Sequence, residues 1–146
     1  MPTVLSWYNL DVVATSKKIV SIVDCEIDIT ELFHYAISTS IQGVSVITFN
    51  DPVIALEHFK DNNKNYALVI SDLRMPKLNG LELLKKIKQI NPSVRTILIS
   101  AYEIDDDPLF QNYMKQGIIN LFVKKPIGLP ELCQEVSNQV QDYQSA

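Results

Sequence analysis

The sequence predicts a doubly wound α/β sandwich built on a five-stranded parallel sheet, and three observations carry that prediction. Short, almost wholly apolar runs rich in β-branched residues recur five times from Lys18 onward. Each is followed by a longer stretch of helical period, the alternation expected of parallel strands joined by crossover helices. Carboxylates, a hydroxyl and an ammonium stand directly after these runs, at the strand ends where open α/β sheets bind their ligands.

The strands are expected over residues 19–23 (IVSIV), 44–49 (VSVITF), 67–71 (ALVIS), 96–99 (TILI) and 119–123 (INLFV). Their lack of polar alternation marks strands covered on both faces. The first helix is read over 29–40. The second runs over 52–61, with Asp51 as N-cap and Pro52 at its first position, and the third over 81–90, stopping before Asn91-Pro92. A fourth, over 108–116, has Asp107 ahead of Pro108 and Gly117 to close it. The last starts near Leu129-Pro130 and is expected to fray in the polar stretch 139–146.

With 146 residues, 47% of them hydrophobic and 21% charged, the chain can fill one core and not two. The domain is placed at 18–141, after an extension over 1–17 of unassigned role and before a polar tail over 142–146. Trp7, Tyr8, Val12 and Val13 give that extension apolar groups that could dock on the domain. A net charge of -4 and a pI near 5.1 argue against an electrostatic grip on nucleic acid or anionic lipid. Cys25 and Cys133 form no CxxC pair and stand near no histidine at ligand spacing, so neither a disulfide scaffold nor structural zinc is expected. His34 and His58 read as surface or packing residues. No basic, apolar leader opens the sequence and no run reaches membrane-spanning length, so a cytoplasmic protein is expected.

The strand ends converge on one rim. Asp24-Cys25-Glu26 follow the first strand, Asp72 the third, Ser100-Ala101 the fourth and Lys124-Lys125-Pro126 the fifth. Such groups suit a hard divalent cation beside a phosphoryl group. The motifs IVDCEID, SDLRMPKLNG, ISA and FVKKPI occur here in order. Through them, residues 18–141 resemble the receiver domain of bacterial and archaeal response regulators, the chemotaxis-type family with a flavodoxin-like (βα)5 fold.

The resemblance implies roles position by position. Asp72 falls on the phosphoacceptor aspartate, ahead of Met75, Pro76, Asn79 and Gly80, and its carboxylate would act as a covalent nucleophile on phosphorus. Ser100, with Ala101 beside it, falls on the hydroxyl residue that senses the phosphoryl oxygen. Lys125 falls on the lysine that pairs first with the aspartate and then with the phosphate, and Lys124 is a solvated neighbour. The Lys125-Pro126 bond is one that the family often carries in cis. Phe122 falls on the aromatic switch position and equally fits an inert core residue. Arg74 and Tyr102, two places after Asp72 and Ser100, flank the phosphate and modulate water access. The implied cofactor is Mg2+, held by Asp24, the side chain of Asp72 and the backbone carbonyl of Arg74.

The pattern breaks at Cys25, where most receivers carry a second acid that ligates magnesium. A thiol is a poor partner for so hard an ion. Three readings stay open: a weakened site completed by water, Glu26 swinging in as substitute, or loss of phosphorylation that leaves a receiver-shaped interaction module. Redox sensing through a thiol pKa lowered by Lys125 is a further idea. Cys133 lies in the apolar stripe of the last helix with Leu129, Leu132 and Val136, a core position. The acidic stretch 103–107 is read as a solvated loop in which Asp107 caps the next helix, with a cation site as the alternative.

The expected function is a stand-alone response regulator that takes a phosphoryl group on Asp72 from a histidine kinase or phosphotransfer protein. It signals to an unidentified downstream protein by contact, and a homodimer is left open. The alternative is the pseudo-receiver module. No GxxxxGK[ST] loop, no GxGxxG after the first strand and no Asp-x-Asp after a strand occurs, since Asp72-Leu73-Arg74 fails that pattern. Beyond its own phosphorylation and dephosphorylation, the chain is therefore not expected to be an enzyme.

Overall fold

The computed structural model describes residues 17–145. The N-terminal residues that the sequence offers as a docking extension, Trp7, Tyr8, Val12 and Val13, lie outside them. Five strands, β1 (Lys18–Val23), β2 (Val44–Phe49), β3 (Tyr66–Asp72), β4 (Arg95–Ser100) and β5 (Leu121–Lys124), form one parallel sheet in the order β2-β1-β3-β4-β5. Helices α1 (Ile27–Ser40), α2 (Pro52–Asn62), α3 (Gly80–Ile90), α4 (Pro108–Lys115) and α5 (Leu129–Ser145) connect and cover it.

Successive strand side chains go to opposite faces, so each strand feeds two cores. Val23, Val69 and Leu98 pack with Phe59, Leu84, Ile87 and Phe110 under α2, α3 and α4. Val20, Ile22, Leu68, Ile70, Ile97 and Ile99 pack with Phe33, Ile37, Leu132 and Val136 under α1 and α5. Burial on both faces explains why the strands read as continuous apolar runs.

Local chemistry sets the helix ends. Asp51 accepts from the Val53 N–H at 2.8 Å, and Asp107 accepts from those of Leu109 and Phe110 at 2.9 and 3.1 Å, each ahead of a first-turn proline. Asn79 and Glu82 form a reciprocal capping box on α3. Gly117, at φ 75°, turns the chain after α4.

Two boundaries differ from the sequence expectation. The fifth strand begins at Leu121 instead of Ile119, because the N–H groups of Ile118 and Ile119 both bond the Tyr113 carbonyl and close the end of α4. The last helix does not fray at Gln139 and continues to Ser145, across the stretch read as a polar tail. Gln139 and Val140 are buried, Arg95 Nε donates to Gln139 Oε1 at 2.8 Å, and Arg95 pairs with Asp142 at 3.6 Å. Tertiary contacts on alternate turns hold a segment whose composition alone would let it fray.

Candidate functional site

Strand order and register build the site. The sheet reverses direction of growth between β1 and β3, the switch point where doubly wound sheets bind ligands. Val23 pairs with Ser71, so Asp24 and Asp72 emerge side by side. Ser100 pairs with Lys124, which sets Lys125 beyond the hydroxyl residue on the same rim.

Lys125 Nζ joins the two acids, donating to Asp24 Oδ2 at 3.0 Å and reaching Asp72 Oδ1 at 3.2 Å. Asp24 is only 3% exposed, and its Oδ1 accepts from the Glu26 N–H at 3.0 Å. Asn50 Nδ2 braces this turn, donating to the Asp24 carbonyl at 2.7 Å and to Thr30 Oγ1 at 3.1 Å. Sequence reasoning missed Asn50, whose only visible signal was its place before the Asp51-Pro52 helix start. The Lys125-Pro126 peptide is cis, as the resemblance implied.

Asp72 is also held from behind. The Gly80 N–H donates to the Leu73 carbonyl at 2.8 Å, and a Cβ on Gly80 would collide with the Asp72 carbonyl oxygen and lie 2.7 Å from Leu98 Cδ1. Only glycine lets the chain pass this close. Lys77 takes φ 72° in the same loop, and its ammonium pairs with Asp51 at 3.0 Å.

Opposite the acids, Ser100 is fully buried and its Oγ accepts from the Tyr102 N–H at 3.0 Å. Tyr102 is half exposed, and the Arg74 guanidinium stacks 3.9 Å from its ring centroid. The two loops are thereby joined across the mouth. Beside them an open cleft of about 610 Å3 is lined by Arg74, Met75, Asn79, Leu81, Ile104 and Asp107. Phe122 is half-buried against Phe110 of α4, ring centroids 5.0 Å apart at 69°. Ala101 is exposed at the start of the loop. Lys124 is exposed and pairs with Glu103, a contact that the solvated reading did not include.

Burial pushes the Asp72 carboxyl above the usual carboxylate range, the Asp24 charge adds to this, and Lys125 offsets only part of it. Burial acts to lower the Lys125 ammonium, but its hydrogen bond to Asp24 and the charges of Asp24 and Asp72 outweigh that and hold it high. The Cys25 thiol is pushed up by burial, then by Asp24 and Asp72. The expectation of a pKa lowered by Lys125 is therefore corrected: burial, with the Asp24 and Asp72 charges behind it, raises the thiol instead.

Cys25 is exposed, with its Sγ 3.8 Å from the Arg74 carbonyl oxygen. Glu26 is exposed too and meets Asp24 through its backbone. Among the described residues no three His, Cys, Asp or Glu side chains stand close enough to form a cation cluster of their own. The donors available to magnesium are the Asp24 and Asp72 carboxylates and the Arg74 carbonyl. They are hard oxygens that fit the ion with one acid fewer, the balance falling to water. His58 is a packing residue, its Nδ1 2.7 Å from the Tyr66 hydroxyl, and Cys133 Sγ donates to the Ala36 carbonyl at 3.4 Å. Among the described residues no helix is long and apolar enough to cross a membrane.

Comparison with known proteins agrees with this geometry. Residues 20–137 match the family model described as the response regulator receiver domain. The chain is 31% identical over 128 residues to the DNA-binding transcriptional regulator NtrC of Escherichia coli, covering 88% of this chain and 26% of NtrC. It is 31% identical over 121 residues to the cyclic di-GMP phosphodiesterase response regulator RpfG of Xanthomonas campestris, covering 82% of this chain and 31% of RpfG. The chain thus spans about a third or less of the length of these two relatives, whose names describe different activities. The response regulator TrrA of Thermotoga maritima, solved in complex with Mg2+-BeF, superposes with a TM-score of 0.70 at 28% identity, over 84% of this chain and 98% of that one. Receiver domains as a family accept phosphoryl groups, bind Mg2+ and meet histidine kinases or phosphotransfer proteins. On its strand-end motifs, its sheet order and this match, the chain belongs to the response regulator receiver domain family.

Proposed function

We propose that the chain is a phosphorylation switch in which Asp72 takes a phosphoryl group from a phosphohistidine on a histidine kinase or phosphotransfer protein. A carboxylate oxygen of Asp72 forms a bond to phosphorus, the phosphorus–nitrogen bond to the donor imidazole breaks, and the imidazole leaves with its electron pair. The observation that carries this reading is the Lys125 ammonium placed between the Asp24 and Asp72 carboxylates. It orients the acceptor beforehand and stays to pair with the new phosphate charge. Magnesium, when bound through Asp24, Asp72 and the Arg74 carbonyl, supplies neutralisation of charge on the transferring group.

Ser100 supports the switch, since its buried oxygen already accepts from Tyr102 and its own proton is free to donate to a phosphoryl oxygen. Movement of that loop would be passed to Phe122 and Phe110, and so to the face of α4, β5 and α5 from which a protein partner reads the state. Arg74 and Tyr102, stacked on one another at the mouth, modulate water access to the acyl phosphate and so set its lifetime. The chain acts alone in this reading, as an acceptor and not as an enzyme on other substrates.

The test is beryllofluoride with Mg2+, followed by backbone amide spectra. Shifts centred on Asp72, Ser100, Lys125 and Phe122, lost in Asp72→Asn, are expected. A second reading, an interaction module without the switch, is favoured by Cys25 at the acid position. It is the correct one if no shift occurs in the unmutated protein yet the full set returns in Cys25→Asp.

A further inference from the structure

Asp24 must stand in one place for the site to work, yet the turn that carries it holds itself poorly. Helices α2, α3 and α4 each begin at a side chain that accepts from a first-turn N–H, whereas Glu26, which opens α1, makes no such bond. Glu26 is exposed and a thiol stands between it and Asp24, so Asp24 is the one carboxylate this turn directs at the rim. We infer, on the basis of the phosphorylation reading above, that Asn50 is a positioning residue of the site, whose side-chain amide sets the Asp24 turn for the cation and thereby governs Mg2+ affinity.

The ladder between β1 and β2 runs one bond past the strands, from the Asp24 N–H to the Phe49 carbonyl at 3.1 Å. A continued parallel ladder would next offer the Asp24 carbonyl a backbone N–H. The Asn50 amide takes that place, donating to the Asp24 carbonyl at 2.7 Å. Its second proton goes to Thr30 Oγ1 at 3.1 Å, and that hydroxyl donates in turn to the Ile27 carbonyl at 2.9 Å. One side chain thereby grips both sides of the 24–26 turn, the end of β1 and the first turn of α1. Asn50 is exposed, but both residues it holds are buried, Asp24 at 3% and Thr30 at 2%. The next residue, Asp51, caps α2 and so steadies the brace itself.

The chemistry calls for an amide. Two acceptors need two protons, which asparagine supplies, while an aspartate of the same shape supplies none and a hydroxyl only one. A shift of the turn carries the Asp24 carboxylate with it, and no second acid on the turn makes up the loss. Groups that orient a metal ligand from behind commonly govern affinity by about 10–100-fold.

Magnesium titration of the full chain, followed by backbone amide shifts, tests this without phosphorylation. Asn50→Asp and Asn50→Ala should each bind Mg2+ about tenfold or more weakly than the unmutated chain. Thr30→Val removes the hydroxyl but keeps the bond to Asp24, so it should lower the urea midpoint and leave Mg2+ affinity unchanged. Acetyl phosphate adds a second readout: modification of Asp72 in the Asn50 variants should be slow at limiting Mg2+ and recover as Mg2+ is raised. The same series is run in the Cys25→Asp background, where the added acid strengthens binding. Equal Mg2+ affinity with and without the Asn50 amide overturns the inference and leaves the switch standing. A loss in Thr30→Val as large as in Asn50→Asp also overturns it, since the effect would then be one of fold stability. Neither Mg2+ shifts nor modification in either background removes the switch, and the positioning role with it.

Discussion

The two ends of the central strands carry polar networks of opposite kind. At the amino end, Asn120 Oδ1 accepts from Lys88 Nζ at 2.8 Å, from the Thr96 N–H at 2.9 Å and from the Thr96 hydroxyl at 3.3 Å. The same hydroxyl lies 2.6 Å from the Ile118 carbonyl, and the Asn120 N–H returns to the Thr96 oxygen at 3.1 Å. One amide oxygen closes that network and ties β4 to the turn before β5. At the carboxyl end one ammonium serves two carboxylates, one of them held above its usual pKa, with a thiol at the acid position. The amino end has its hydrogen bonds closed as it stands, whereas the carboxyl end sets two carboxylates against one ammonium and is short of positive charge until a cation arrives. Frustration concentrated at one edge, on a scaffold fixed at the other, is what a chemical switch requires.

The largest effect that would sharpen this contrast is Asn120→Ala. It orphans the buried Thr96 N–H and strips Lys88 of its partner, so urea unfolding should show a loss of about 2–4 kcal/mol, at roughly 1–3 kcal/mol per orphaned group. The folded variant should still show the beryllofluoride shifts at Asp72, and their loss would mean that the two ends are coupled. Gly80→Ala should cost less, about 1–3 kcal/mol by overpacking against Asp72 and Leu98, but should displace Asp72 and slow its modification.

Asp72→Asn should change stability in the opposite sense. Because the folded carboxyl pKa is raised, its contribution to stability is present in full below the unfolded value of 3.8 and is lost as pH rises through the folded pKa. The asparagine variant should therefore melt above the unmutated chain at pH 7, and that difference should fade in acid. Equal melting at pH 7 would mean that Lys125 fully offsets the strain.

An effect confined to alkaline pH belongs to Lys88, lowered to about 8 by burial and then by Arg95. The unfolded chain holds its proton up to the ordinary value of 10.5, so between about 8 and 10.5 unfolding takes up a proton and stability rises with pH. Lys88→Met should flatten that part of the curve when melting is compared at pH 8 and 10.

Much of this was legible from the chain. Strand runs, Asp51-Pro52, Asp107-Pro108 and Gly117 are local signals, and the local rules that read them are the ones the structure obeys. Asp72, Ser100 and Lys125 were found because each follows a strand, and strand ends share a rim in this topology. Asn50, the Gly80 contact and the Arg74–Tyr102 stack were not, because each depends on which loops the sheet order sets side by side. The extent of α5 was hidden for the same reason, as Arg95 lies far from Gln139 in sequence. For Cys25, resemblance exposed the departure, and only the geometry showed that burial and then two carboxylates push its thiol up.

The most direct test of the switch is intact-mass spectrometry of the full chain after acetyl phosphate treatment with Mg2+, with peptide mapping of any adduct. A single phosphoryl adduct mapped to Asp72, absent from Asp72→Asn and formed faster in Cys25→Asp under Mg2+, is the predicted result. No adduct in both the unmutated chain and Cys25→Asp, with the fold intact, would contradict it.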